Sequence, residues 1–212
     1  MGGRCPPRIM LSIPTDGEDL MPIRLSRIGH VALRVRDLQR AKKFYTEVMG
    51  FKIAEEDPEH GNDVFMSLGH DDHNDGHTFD LVQVEDPQTA SPPPDRNGVG
   101  YAHIAIKVDT HDDLKAAHDH LVSHSVTVDR MIEHANQRSI YFADPDGNRL
   151  EIYYEYPTAR ELFRRGRGDR DFIFTFDDPV PPWATGVPDD WDPETTAERY
   201  HRGTVRTMEQ SS

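Results

Sequence analysis

Cysteine, basic residues and long apolar runs are all scarce in this chain. Its 212 residues include one cysteine, Cys5, so no disulfide can close within the chain. No stretch is apolar for long enough to span a bilayer, and the residues before Met21 lack the apolar run of a secretory leader. The cytoplasm is therefore the expected compartment, with no membrane as partner. Lysine and arginine number 24 against 38 aspartates and glutamates, a net charge of −14. Such a surface repels phosphate, which argues against nucleic acid as a partner. Hydrophobic residues are 35% of the chain, a low share. The shortage lies at the two ends, which are rich in Pro, Asp and Arg. The middle is well patterned, and the length suits one ordinary domain or two small modules sharing a core.

What is present is a strand-then-helix unit that occurs twice. Residues 27–35 alternate as a half-buried strand does. Asp37 is placed to cap a helix with Leu38, Ala41, Tyr45 and Val48 at helical spacing, and Gly50 ends it. FKIAEE, DVFMSL and HTFDLVQVE read as three more strands, with the polar turn HDDHNDG before the last. QTASPPPDRNG reads as a Pro-rich linker. The plan then restarts: YAHIAIKV is a strand, Leu114, Ala117 and Leu121 mark a helix, and TVDRMIEH, RSIYFADP and NRLEIYYE are strands. Asp144, Pro145, Asp146, Gly147 and Asn148 have strong turn chemistry. The expected fold class is α+β, with two β-α-β-β-β modules forming a curved mixed sheet around a metal site.

The expected boundaries are a flexible N-terminal extension over 1–23, a domain over 24–156 with modules 24–86 and 98–156, and a C-terminal tail over 157–212. In the tail, Thr158 and Glu161 have capping-box spacing ahead of a short helix with Leu162 and Phe163. RRGRGDR reads as a solvated loop, DFIFTFDD as an edge strand, and PVPPWATG as irregular. The tail is expected to act as a lid or as an arm toward a second subunit.

There are 12 histidines, so a single one carries little weight. His60, His70, His73, His111, His118, His120, His124 and His201 fall in polar turns, helix faces or the tail and read as structural or solvated. His30 in HVALRV and His103 in HIAIKV differ, because they hold matching places in the two copies of the unit. Two related modules bring equivalent positions to a shared axis. With Glu151 in NRLEIYY they make a set of two imidazoles and one carboxylate. Such a set leaves positions open on a metal and suits non-haem Fe(II) chemistry.

The run Ile132-Glu133-His134, followed by Ile140-Tyr141-Phe142-Ala143-Asp144-Pro145-Asp146-Gly147-Asn148-Arg149-Leu150-Glu151, resembles the signature of type I extradiol ring-cleavage dioxygenases. These belong to the vicinal oxygen chelate superfamily, with glyoxalase I, fosfomycin-resistance and bleomycin-binding proteins. The resemblance spans about 27–156, as a short, one-domain form. It implies that His30, His103 and Glu151 bind Fe(II), with Mn(II) as the alternative metal. It implies that His134 bonds the substrate or the migrating oxygen, that Tyr141 holds the deprotonated catechol oxygen, and that His77 moves protons. The implied partners are a catecholic small molecule, O2 and further copies of the chain, and the implied setting is aromatic catabolism.

One position departs from that pattern. Aligning Gly76–Asp80 with Gly147–Glu151 sets Asp80 opposite Glu151. In glyoxalase-like members a carboxylate there completes a four-ligand site for Lewis-acid chemistry. The rival expectations are a glyoxalase-type metal-dependent lyase, isomerase or thiol transferase, and a non-catalytic small-molecule binding protein.

Overall fold

The computed structural model describes residues 25–57, 61–69, 76–167 and 171–192. The expected N-terminal extension, His60, the turn with His70 and His73, and the end of the tail with His201 lie outside the described residues. The first module runs β1 (Val31–Val35), α1 (Leu38–Lys43), β2 (Lys52–Glu56), β3 (Asp63–Ser67) and β4 (Phe79–Gln83). The second runs β5 (Ile104–Val108), α2 (His111–Ser123), β6 (Val128–His134), β7 (Gln137–Ala143) and β8 (Arg149–Glu155). The expected β-α-β-β-β plan is thus present twice. After it come α3 (Ala159–Arg165) and a short β9 (Phe172–Ile173). No helix of the described residues is long and apolar enough to cross a membrane.

Local chemistry sets these elements. The Asp37 carboxylate accepts from the Arg40 amide at 3.0 Å and starts α1. Thr110 and Asp113 bond each other's backbone amides at the head of α2, a complete capping box. The first helix does not stay α-helical to Val48. It widens into a π turn over Phe44–Val48. There the Thr46 hydroxyl takes the Lys42 carbonyl at 2.9 Å and competes with the backbone ladder. Gly50, at φ 80°, then reverses the chain.

The strands form two mixed sheets, ordered β1-β4-β3-β2 and β5-β8-β7-β6-β9. β1 lies parallel to β4 and β5 parallel to β8, while the other pairs are antiparallel. Among the described residues no strand of one sheet pairs with a strand of the other. The modules are joined instead through one apolar core. Leu33, Val35, Leu38 and Ala41 of the first pack in the same cluster as Leu114, Leu121, Ile140 and Phe142 of the second. Each such side chain larger than alanine contributes about 1.5–3 kcal/mol of burial.

A polar clasp reinforces that core. Asp144 folds its own turn by accepting from the amides of Asp146 and Asn148 at 2.9 and 2.8 Å. Gly147 sits in the turn at φ 88°. Across the core, the buried Tyr45 hydroxyl donates to Asp144 at 3.1 Å. Asp146 accepts from the Arg36 amide at 3.1 Å and from the Arg40 guanidinium at 2.5 Å. The Asp-Pro-Asp-Gly-Asn run therefore docks the first module onto the second.

The tail, as far as Asp192, packs on its own second module. Leu162, Phe172, Trp183 and Trp191 form a satellite core. Trp183 donates from its indole to the Ala135 carbonyl at 2.8 Å. Fully buried Arg138 donates to Glu133 at 2.6 Å and to the carbonyls of Asp178 and Pro179 at 3.1 and 2.6 Å. Burial pushes the Glu133 carboxyl up to about 7, against the pull of Arg138 and of the Tyr156 hydroxyl. Two expectations for the tail need correction. Thr158 makes no capping bond; its hydroxyl goes to the Trp183 carbonyl at 2.7 Å. Of DFIFTFDD only Phe172 and Ile173 pair, with Glu133 and Ile132 of β6. Asp178 turns back to the Thr175 amide at 2.6 Å and ends the strand.

Candidate metal centre

The ladder registers carry the repeat down to single residues. Ala32 of β1 faces Asp80 of β4, and Ala105 of β5 faces Glu151 of β8. His30 lies two residues before Ala32, and His103 two residues before Ala105. Asp80 and Glu151 are thus equivalent positions, as the sequence alignment had them. His30 and His103 stand one residue ahead of their strands, at the end of each sheet, rather than within the ladder. His77 likewise precedes β4 by two residues.

In the first module His30, His77 and Asp80 converge, with one ligand atom from each inside 4.8 Å of the others. The His30 and His77 Nε2 atoms lie 3.8 and 3.5 Å from Asp80 Oδ2. Ligands about 2.1 Å from a shared cation sit about 3 Å apart at right angles, so modest closure makes a site. Asp80 itself is buried, and among the described residues its Oδ1 has no hydrogen-bond partner. Burial raises its carboxyl pKa, while His77 and His30 pull it down. A buried carboxylate with two imidazole nitrogens 3.8 and 3.5 Å from its Oδ2 fits a divalent cation, which both kinds of ligand accept.

The second module is knit differently. His103 Nε2 lies 2.7 Å from Glu151 Oε2. Glu151 Oε1 accepts from Tyr141 at 3.1 Å and from Gln137 at 3.0 Å. His134 Nε2 lies 2.9 Å from the Tyr141 hydroxyl, and its Nδ1 lies 2.6 Å from Asp171. A carboxylate only accepts, so Nδ1 carries a proton toward Asp171 and Nε2 faces the Tyr141 hydroxyl. That hydroxyl donates to Glu151. Burial, then the Glu151 charge, raises the Tyr141 pKa well above a free phenol, so it is a donor at neutral pH.

The expected site residues therefore fall into two groups. His103, Glu151, Tyr141 and His134 come together on the second sheet. His30 stands instead with His77 and Asp80 on the first, and among the described residues no metal-sized group joins it to His103 and Glu151. His77, expected to move protons, sits with the ligand candidates. Two contributors escaped sequence reasoning. Gln137 is visible only once β7 pairs with β8. Asp171 reaches His134 across 37 residues, a separation at which no local pattern exists.

Two such modules, with a histidine and a carboxylate at matched registers, form a known architecture. Residues 27–152 match the profile of the Glyoxalase/Bleomycin resistance protein/Dioxygenase superfamily. The chain belongs to that superfamily. Among its relatives is Catechol-2,3-dioxygenase of Bacillus subtilis (strain 168), 29% identical over 150 residues, a match taking in 71% of this chain and 48% of that protein. The chain thus spans about half the length of that dioxygenase. A Probable lactoylglutathione lyase of Vibrio parahaemolyticus is 30% identical over 131 residues, covering 59% of this chain and 88% of that one. The structure of a glyoxylase/bleomycin resistance protein/dioxygenase domain from Frankia sp. EAN1pec superposes with a TM-score of 0.52 at 22% identity, over 62% of this chain and 99% of that one. That likeness concerns the fold. Superfamily members bind divalent metals, and His30, His77 and Asp80 supply a His-His-Asp set for one here.

Proposed function

We propose that this protein is an Fe(II)- or Mn(II)-dependent extradiol dioxygenase that opens a catechol-type ring with O2. The observation that carries the reading is the bonded line His134–Tyr141–Glu151–His103. It sets a proton donor and a proton acceptor beside two ligand candidates, as catechol activation requires. His30, His103 and Glu151 would hold the metal, with Asp80 and His77 beside His30. When bound, the metal lowers the pKa of catechol hydroxyls and gives both reactants adjacent places. The chain's own groups do the rest. Tyr141 donates to a catecholate oxygen. His134 takes or returns a proton at Nε2, held in its tautomer by Asp171. Gln137 keeps Glu151 in its rotamer.

The ligands lie on two sheets, so we propose further that the site closes between two copies, His30 of one facing His103 and Glu151 of the other. The C-terminal tail over 157–212 would serve as the inter-subunit arm or lid. The test is anaerobic reconstitution with Fe(II), then oxygen uptake on a panel of catechols. A ring-opened yellow product with matching O2 consumption is expected, lost in His30→Ala and in His134→Ala. Mixing inactive His30→Ala with inactive Glu151→Ala restores activity if the sites are shared, and leaves none if they are not.

The unpartnered Asp80 oxygen favours one rival, a glyoxalase-type lyase, isomerase or thiol transferase using a four-ligand site. No oxygen uptake on any catechol, with Ni(II) or Zn(II) binding that depends on Asp80, would establish that reading instead.

A further inference from the structure

Beside the second half-site lies a cavity of about 650 Å³, walled by β7, the head of β8 and the linker strung over them. His103 and Tyr141 line it, so it opens onto the candidate centre. Three guanidiniums line it too: Arg96 from the linker, Arg130 from β6 and Arg149 from β8. Arg130 stands over the Tyr141 ring at 5.0 Å. Among the described residues none of the three makes an ion pair. Two carboxylates share the walls, Asp95 and Asp129, and Asp95 is engaged in its own turn with the Asn97 amide at 2.8 Å. In a chain of net charge −14, a local cationic surplus with no ion pair among the described residues runs against the surrounding field.

We infer that this cavity binds the carboxylate of the substrate, so that the protein acts on an aromatic ring carrying an acidic side group. The inference rests on the proposed ring-cleavage function for the identity of the ring, and on the cavity alone for the anion. A guanidinium presents a planar fork that a carboxylate meets with two bonds. The Tyr141 face, with Arg130 over it, gives a flat ring an edge to lie against. The volume lies in the range of roughly 300–1,000 Å³ that encloses substituted small molecules, and exceeds what an unsubstituted ring needs. Such a substrate would reach Tyr141 and His103 with its hydroxyls while its carboxylate stays at the arginines.

The experiment separates the anion from the chemistry. Metal-free protein is titrated calorimetrically with benzoate, benzamide and phenylphosphonate. Benzoate should bind at least about ten-fold more tightly than benzamide, the value of one charge-assisted bond. Arg130→Met and Arg149→Met should each abolish most of that preference, and Arg130→Lys should keep part of it, with melting curves to show that each variant folds. Equal binding of benzoate and benzamide would overturn the inference, as would tighter binding of phenylphosphonate. The Fe(II)-loaded protein is then assayed on 3,4-dihydroxybenzoate and on catechol. Higher kcat/KM on the acid, lost in Arg130→Met, supports both readings. Oxygen uptake that ignores the carboxylate sinks the inference and leaves the dioxygenase standing. An arginine-dependent benzoate site with no oxygen uptake on any ring supports the anion site and sinks the dioxygenase.

Discussion

The two modules repeat one plan, yet they hold their carboxylates in opposite ways. Glu151 in the second is tied by His103, Tyr141 and Gln137. Asp80 at the matching register in the first has, among the described residues, one oxygen without a partner and two imidazoles beyond normal bonding distance of the other. The second half is held by its own hydrogen bonds; among the described residues the Asp80 carboxylate has none of that kind. The tail explains part of this. It packs on the second module through Arg138 and Trp183, and through Asp171 it reaches His134.

The sharpest way to break the contrast is to unlock the tail. Arg138→Ala leaves Glu133 buried without its cation and should cost about 3–5 kcal/mol in urea denaturation. The counterpart in the first module, Lys42→Ala, loses a partly exposed pair with Glu56 and should cost under about 1 kcal/mol.

Asp80→Asn tests the other side of the comparison. The metal-free protein should melt higher, because a buried unpaired carboxylate is gone. Divalent affinity should fall by at least about ten-fold, since a ligand or near neighbour is lost. A melting point that drops would show Asp80 to be structurally satisfied.

Tyr45→Phe removes one of the bonds between the modules. Asp144 keeps its acceptance from Asn148 at 2.9 Å, so the expected loss is about 1 kcal/mol.

The smallest effect is in pH. Burial, then the Arg138 charge, lowers the His111 pKa, and Arg138 lies 3.1 Å from His111 Nε2. The unfolded chain therefore binds this proton more readily than the folded one. Stability is unaffected above the ordinary histidine value of about 6.5 and declines as pH falls below it. Melting temperature measured from pH 7.5 to 5 should show that decline, and His111→Gln should flatten it.

Both modules were legible in the sequence, because alternation and helical spacing are local. So was the equivalence of His30 with His103 and of Asp80 with Glu151, because the repeat marks matching positions without any structure. The partition of those residues between two sheets was not legible. It depends on how the modules dock, and docking is set by Tyr45, Arg36 and Arg40 meeting Asp144 and Asp146 about a hundred residues away. The run DFIFTFDD alternates well, yet the pairing ends after Phe174, because the Thr175 amide turns to Asp178 at 2.6 Å.

The Asp144–Asn148 turn bears two duties within five residues, since it spaces Glu151 along β8 and grips α1. It is therefore intolerant of any change in length. One inserted residue would rotate Glu151 to the opposite face of its sheet and unseat Arg40 in the same stroke. Length variation among related chains is expected to collect elsewhere, above all in the irregular 88–98 connection, while this turn stays fixed to the residue.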